Sequence, residues 1–249
     1  MKTDTPPAAA TTGATAAAEW LKLRSVRSTW WFVGGATAVM LLTTSLEVDD
    51  GDPAAVQSVS AAMMTVGNFV QYILLALGVL AITNEFGNRS ITVTVMGTPS
   101  RLRVMLAKAL VVGGAVFVVG TAVVGLGVGV SAVRFDELGL LDGGDLAQMA
   151  AMGIYLSLLA VTGLGLGTVV RRTAGTLAIL VLLLLLVPEI LGLVAERLDA
   201  PWVASIGDYT PGPAGFRFIA GDWEWGLVLG GWALAALAAG VWALRSRDV

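Results

Sequence analysis

The chain has 249 residues, 56% hydrophobic and 13% charged, with a mean hydropathy of +0.82 and a formal net charge of −3. Soluble domains carry roughly 25% charged residues, so there is too little polar surface here for a water-soluble globule, and the class is polytopic membrane protein. The sequence has no cysteine and no histidine, and none of its lysines (Lys2, Lys22, Lys108) follows a glycine; this excludes disulfides, zinc sites built on Cys or His, His-based triads and a phosphate-cradling G-x-x-x-x-G-K-[ST] loop.

Residues 1–18 are small, polar and Pro-containing and read as a disordered cytoplasmic tail, with a single transmembrane domain over 19–249. From Glu19 to Thr29 the pattern changes. Trp20, Leu23 and Val26 or Trp30 recur at helical spacing, and Lys22, Arg24 and Arg27 occupy the remaining face. Such a helix lies in the membrane interface, apolar side in lipid and charges toward water. The plainer alternative is the end of the first span with ordinary basic anchors.

Six apolar runs follow, at about Trp30–Leu46, Ala62–Thr83, Ala109–Val133, Leu146–Val170, Ala174–Val194 and Trp223–Leu244. A helix needs about 20 residues to cross a hydrocarbon core of roughly 30 Å. The fold class is therefore all-α, with six transmembrane helices. With both termini inside, twelve of the fifteen basic residues fall on the inner side, and only Arg134, Arg197 and Arg217 fall outside. That bias sets the orientation. The outer segment Ala195–Asp222 carries Trp202, Ile206, Tyr209 and Phe218, which predicts short helices dipping into the outer leaflet against protein.

Glu189 is the one acid inside a predicted span, beside Pro188 and near the outer end. It is a candidate for an outer gate, together with Pro188, Tyr209 and Pro211; a snorkelling role is the alternative. The spacings Gly125/Gly129 and Gly163/Gly167 predict close helix packing.

The stretch from Asn84 to Lys108 is long for a connector between neighbouring helices, at 25 residues against the usual 2–8 or so. Ile91, Thr94 and Val95 would share one helix face, and Leu102, Met105 and Leu106 another. Two short helices broken at Gly97–Pro99 are expected, with apolar faces that grip a partner.

Three stretches carry a resemblance: EWLKLRSVRSTWW at Glu19–Trp31, ITNEFGNRSITVTVMGTPSRLRVMLAKALV at Ile82–Val111 and YTPGPAG at Tyr209–Gly215. With the span count and order, they make the chain similar to permease subunits of ATP-binding-cassette exporters of the drug and polysaccharide efflux type, in the six-span form of high-GC Gram-positive bacteria. The resemblance implies a bacterial plasma-membrane protein that pairs with a second permease copy, as homodimer or heterodimer. It also implies separate ATPase subunits that hold the ATP and Mg, with no cofactor on this chain and no nucleic-acid partner. By the same resemblance the loop after the second span is the coupling helix, with Glu85 capping or orienting it and Arg89, Pro99, Arg101, Arg103 and Lys108 along it. Trp20, Lys22, Arg24 and Arg27 would form the interfacial helix. Thr92-Val93-Thr94 departs from the family, which often has a basic residue there.

An ion-coupled secondary transporter predicts several intramembrane acids or bases, where the spans offer Glu189 alone. An intramembrane enzyme is disfavoured by the missing Cys, His and paired carboxylates. A non-transporting membrane partner, such as a sensor, immunity or assembly protein, stays open on sequence.

Overall fold

In the computed structural model, which describes residues 12–47, 58–88, 101–134 and 143–246, each apolar run of the sequence forms a helix. Helix α1 (Thr12–Ser25) leads through a break at Val26 into the first span, α2 (Arg27–Glu47). The second span is α3 (Ser58–Thr65), a π turn (Val66–Val70) and α4 (Gln71–Gly87), which run on without a break. The third is α5 (Arg101–Arg134) and the fourth α6 (Gly143–Val170). The fifth is α7 (Thr173–Val181), a π turn (Leu182–Leu186) and α8 (Val187–Leu198). Two short helices, α9 (Pro201–Asp208) and α10 (Pro211–Ile219), precede the last span, α11 (Trp225–Ser246). Six helical stretches are long and apolar enough to cross a membrane, as in a multi-pass membrane protein.

Two boundaries differ from the sequence expectation. Residues 12–18, assigned to a disordered tail, belong to α1; their alanines are the strongest helix formers. Arg101, Arg103 and Lys108, assigned to a loop, lie in the first turns of α5. The run RLRVMLAK is rich in helix formers, and Val104, Met105, Ala107 and Lys108 are buried against the bundle, which extends the helix beyond the purely apolar stretch. The break at Gly97–Pro99, with Ile91–Val95, Arg89 and Pro99, lies outside the described residues.

Helix α6 is the axis of the bundle and packs on α4, α5 and α11. Small residues set the distances. A Cβ on Gly78 would stand 1.9 Å from the carbonyl oxygen of Ala160, and one on Gly165 2.4 Å from the carbonyl carbon of Ala236. At these crossings backbone meets backbone, the contact that small residues permit inside a membrane. Gly163 and Gly167 also face α4, as their spacing predicts. Of the other pair, Gly125 approaches Met149 at an ordinary 3.4 Å and Gly129 has open space. That spacing on α5 marks no close crossing, because the packed face of the helix there is carried by Val124 and Val128. The fifth span stands apart, with 11% of its most apolar window buried against 67% for the second and fourth.

The expected short helices between the last two spans are present, each opening on a proline at its first turn, where the missing N–H costs nothing. Helix α10 packs into the bundle rather than over it. A Cβ on Gly215 would stand 2.0 Å from the Tyr155 ring, and one on Gly67 1.9 Å from the Phe216 ring. Below this contact Tyr155 Oη donates to Gln71 Oε1, and Gln71 Nε2 donates to the carbonyl of Gly67. The π turn moves the Gln71 main-chain N–H onto the carbonyl of Val66, and the Gln71 side chain bonds the next carbonyl along. Burying these polar groups is tolerable because they pair with one another.

The two ends of the bundle differ in charge. Among the described residues, one end carries Lys22, Arg24, Arg27, Arg101, Arg103, Lys108, Arg171, Arg172 and Arg245 against two acids, Glu19 and Glu85. The other carries Glu47, Asp145, Glu189, Glu196, Asp199, Asp208, Asp222 and Glu224 against Arg134, Arg197 and Arg217. The links at the base-rich end are tight. Arg171, in a left-handed conformation (φ 59°), joins α6 to α7 and reaches across to donate to the Ala243 carbonyl on α11.

The Gly78 crossing is open to test. Gly78→Ala drives a methyl into the Ala160 backbone and is expected to destabilise by about 1–3 kcal/mol, the range of overpacking changes. Gly129→Ala meets nothing within 4 Å and should not destabilise. Thermal unfolding in detergent compares the two, and equal melting temperatures would contradict the assigned contact.

Candidate functional site

Both described acids of the base-rich end lie in one cluster. Glu85 sits near the end of α4, Lys108 two turns into α5, and Glu19 and Lys22 one turn apart on α1. Lys108 Nζ donates to Glu85 Oε1 at 2.9 Å and to Glu19 Oε2. Lys22 Nζ donates to Glu19 Oε1 at 2.8 Å and to the same Glu85 Oε1 at 2.9 Å. Each lysine therefore bridges both carboxylates. Lys108 is 3% exposed in its side chain, Glu19 5% and Glu85 9%, whereas Lys22 is 44% exposed. Glu85 Oε2 is buried without a hydrogen-bond partner.

Local structure sets this geometry. Glu19 and Lys22, three apart, share a face of α1, and that face turns onto α5. The break at Val26 aims it. Thr29 Oγ1 donates to the Leu23 carbonyl at 2.9 Å and Trp30 Nε1 to the Arg24 carbonyl at 3.1 Å, pinning the corner between α1 and α2.

The cluster corrects the expected polarity of the interfacial helix. Lys22 does not point away from the protein but inward to two carboxylates, while Trp20 is 48% exposed and Leu21 65%. Arg24 and Arg27 are exposed. Two positive and two negative groups in mutual contact are cheaper to bury than separate charges, which explains the inward turn.

Burial alone would raise the Glu19 pKa, but the attraction and hydrogen bond of Lys108, then those of Lys22, outweigh it and hold the carboxyl below its ordinary value of 4.5. Burial alone would lower the Lys22 pKa; hydrogen bonds to Glu19 and Glu85 outweigh it and leave the ammonium above its ordinary 10.5. Both shifts favour the charged forms of Glu19 and Lys22.

Of the six residues carried over for coupling, the structure joins Glu85 and Lys108. Arg101 and Arg103 are half-buried on the first turn of α5 outside this cluster, and Arg101 Nη1 is buried without a partner. Arg89 and Pro99 lie outside the described residues. Glu85 forms ion pairs to α1 and α5, and no described contact makes it a helix cap. Glu19 was missed as a site residue; it is the one acid in the basic stretch Glu19–Arg27, and its i, i+3 spacing to Lys22 is the signal that marks it.

At the other end Pro188 opens α8 directly after the π turn, and its Cα would lie 3.6 Å from a Cβ on Gly207. Tyr209 stacks at a tilt on Trp225, ring centroids 5.1 Å apart, and its carbonyl accepts from Trp232 Nε1 at 2.8 Å. Pro211 is buried at the start of α10. Pro211 is thus buried and Pro188 half-buried, whereas Tyr209 and Glu189 are exposed.

A cavity of about 320 Å³ opens beside the cluster, lined by its four charged residues and by Leu77, Leu80 and Val112. The charges pair with one another, with Glu85 Oε2 left over. The arrangement is mechanical: it ties α1 to the two spans that flank residues 89–100. No family model matches the chain, and no curated protein matches its sequence.

Removing Lys108 leaves two buried carboxylates with one half-exposed lysine, so Lys108→Ala is expected to cost about 3–5 kcal/mol. Lys22→Ala, at the exposed side, should cost about 1 kcal/mol or less. Adding Glu85→Gln to Lys108→Ala should restore part of the loss, which a double-mutant cycle reads. Because the folded-state pKa of Glu19 is depressed, its contribution is present above 4.5 and is lost as pH falls through the lower folded value. Melting temperature against pH should therefore fall more steeply below pH 4.5 for the wild type than for Glu19→Gln. Parallel curves would rule out the ionised cluster.

Proposed function

We propose that the chain is the transmembrane permease subunit of an ATP-binding-cassette exporter, driven by a separate ATPase and moving an apolar or amphipathic small molecule or lipid. The observation that carries this reading is the buried ion cluster. It fixes Glu85, four residues before the 89–100 segment, and Lys108, eight residues after it, to each other and to α1. A force applied to that segment is delivered to the ends of the second and third spans together, and α1 moves with them. A membrane protein that receives mechanical work from a partner needs such a rigid foot. Six spans of mostly Leu, Val, Ala and Gly, and a sequence without a phosphate-cradling loop, fit a path for cargo whose energy source is elsewhere.

The base-rich end faces the cytoplasm in this reading, by the excess of arginine and lysine there. Both termini are then inside, and the α9–α10 corner with Pro188, Tyr209 and Pro211 lies on the outer side, where it closes the path. A second permease copy completes the path, and the membrane is the bacterial plasma membrane. Two ATPase subunits grip the 89–100 segment, and their closure on ATP moves the spans by alternating access.

The absence of cysteine makes orientation directly measurable. Ser205→Cys should react with a membrane-impermeant maleimide in intact cells, and Ser246→Cys only after permeabilisation; the reverse pattern contradicts the orientation. The function is tested by purifying the tagged chain from its own host's membranes and assaying ATP hydrolysis. A co-purifying chain with a phosphate-binding loop is expected. Glu85→Ala should retain membrane insertion but reduce hydrolysis stimulated by the permease. Purification without any ATP-hydrolysing chain would leave the non-transporting reading in its place.

A further inference from the structure

A second groove lies at the base-rich end, away from the ion cluster, and takes in Leu102, Met105 and Leu106, which the sequence alone assigns to a partner-gripping face. It has a volume of about 430 Å³ and runs between the start of α5 and the end of α11. Its walls are apolar, with Leu102 and Leu106 on one side and Leu234 and Ala238 on the other; Trp242 and Arg245 stand at the end nearer the helix terminus. Trp242 is 66% exposed and Leu234 69%, so the groove opens sideways from two spans, toward lipid.

We propose that this groove binds one anionic phospholipid of the leaflet at the base-rich end, with an acyl chain along the leucines and the headgroup phosphate on Arg245. Three features select this occupant. The order of side chains, apolar then Trp then Arg toward the helix end, matches the polarity of a lipid from chain to headgroup. The Arg245 guanidinium presents a planar fork suited to phosphate oxygens, and basic pockets between spans take such headgroups. No acid lines the groove, and both described acids of this end are engaged with lysines in the ion cluster. A zwitterionic headgroup would find a phosphate partner but none for its ammonium or choline. A net-negative headgroup of the phosphatidylglycerol kind leaves no charge unmatched.

The test uses Trp242 as the reporter. The intact protein is placed in nanodiscs of phosphatidylcholine that contain increasing fractions of either phosphatidylglycerol or phosphatidylcholine with brominated acyl chains, which quench tryptophan on contact. The chain has eight tryptophans, so the Trp242 component is the wild-type signal minus that of Trp242→Phe. The expected result is half-quenching of this component at an about fivefold lower fraction of brominated phosphatidylglycerol than of brominated phosphatidylcholine, the preference given by one arginine near the surface. Arg245→Gln should abolish the preference, Arg245→Lys should keep part of it, and Ala238→Phe, which fills the groove, should weaken quenching by both lipids. Added glycerol phosphate should not compete, because the acyl chain holds the ligand. Identical curves for the two lipids in the wild type would reduce the groove to ordinary boundary lipid and overturn the proposal. No quenching by either lipid would show that protein covers the groove, with the same consequence. These readouts involve no ATPase, so they stand or fall apart from the transport reading.

Discussion

Lys108 sits two turns inside a transmembrane helix with a nearly closed side chain, and the base-rich end of the molecule is arranged around neutralising it. A lone ammonium there would cost several kcal/mol. Glu85 from the neighbouring span neutralises part of that cost, and Glu19 on α1 the rest. Helix α1 is thus not merely an anchor resting on a membrane. Its docking angle, the corner at Val26 and the inward turn of Lys22 follow from the need to deliver one carboxylate to one buried lysine. The same contacts join the last turns of the second span to the first turns of the third.

The rest of the bundle is held by different physics. Inside lipid, apolar side chains gain little from meeting one another instead of acyl chains, so association depends on close packing and on satisfied polar groups. The structure uses both around α6. Gly78 and Gly165 bring neighbouring backbones against it, and the chain of hydrogen bonds from Tyr155 through Gln71 to Gly67 joins it to the second span beneath α10. The fifth span shares few of these devices and is correspondingly open. Its π turn at Leu182–Leu186 supplies a local change of register just ahead of Pro188.

Much of this was legible in the sequence where a single physical rule dominates. Apolar length placed six spans, and the short helices between the last two followed from a segment too apolar for a solvated loop. The rules failed where a charge is buried. Lys108 reads as the end of a loop because hydropathy counts it as polar; only its two carboxylate partners, 23 and 89 residues away in sequence, let the helix contain it. Glu19 escaped notice for the same reason, since a long-range ion pair leaves no periodicity behind. Glycine spacing was an uneven guide. Gly163 and Gly167 face a neighbouring helix, but Gly129 does not, because spacing alone does not say which side of a helix meets protein. Of the candidate gate residues, Pro188 approaches Gly207 of α9 and Tyr209 meets Trp225 and Trp232 of the last span, contacts that no local pattern encodes.

The central claim is that residues 89–100, held at both ends by the ion cluster, receive the stroke of a separate ATPase. The most direct measurement is site-specific photo-crosslinking in native membranes, with a photoreactive amino acid in place of Val93 and the captured chain identified by mass spectrometry. The account requires the captured chain to be an ATPase with a phosphate-binding loop, and the yield to fall in Lys108→Ala, where the cluster is broken. Capture of only this chain itself or of a protein without such a loop, or a yield indifferent to Lys108, would contradict it.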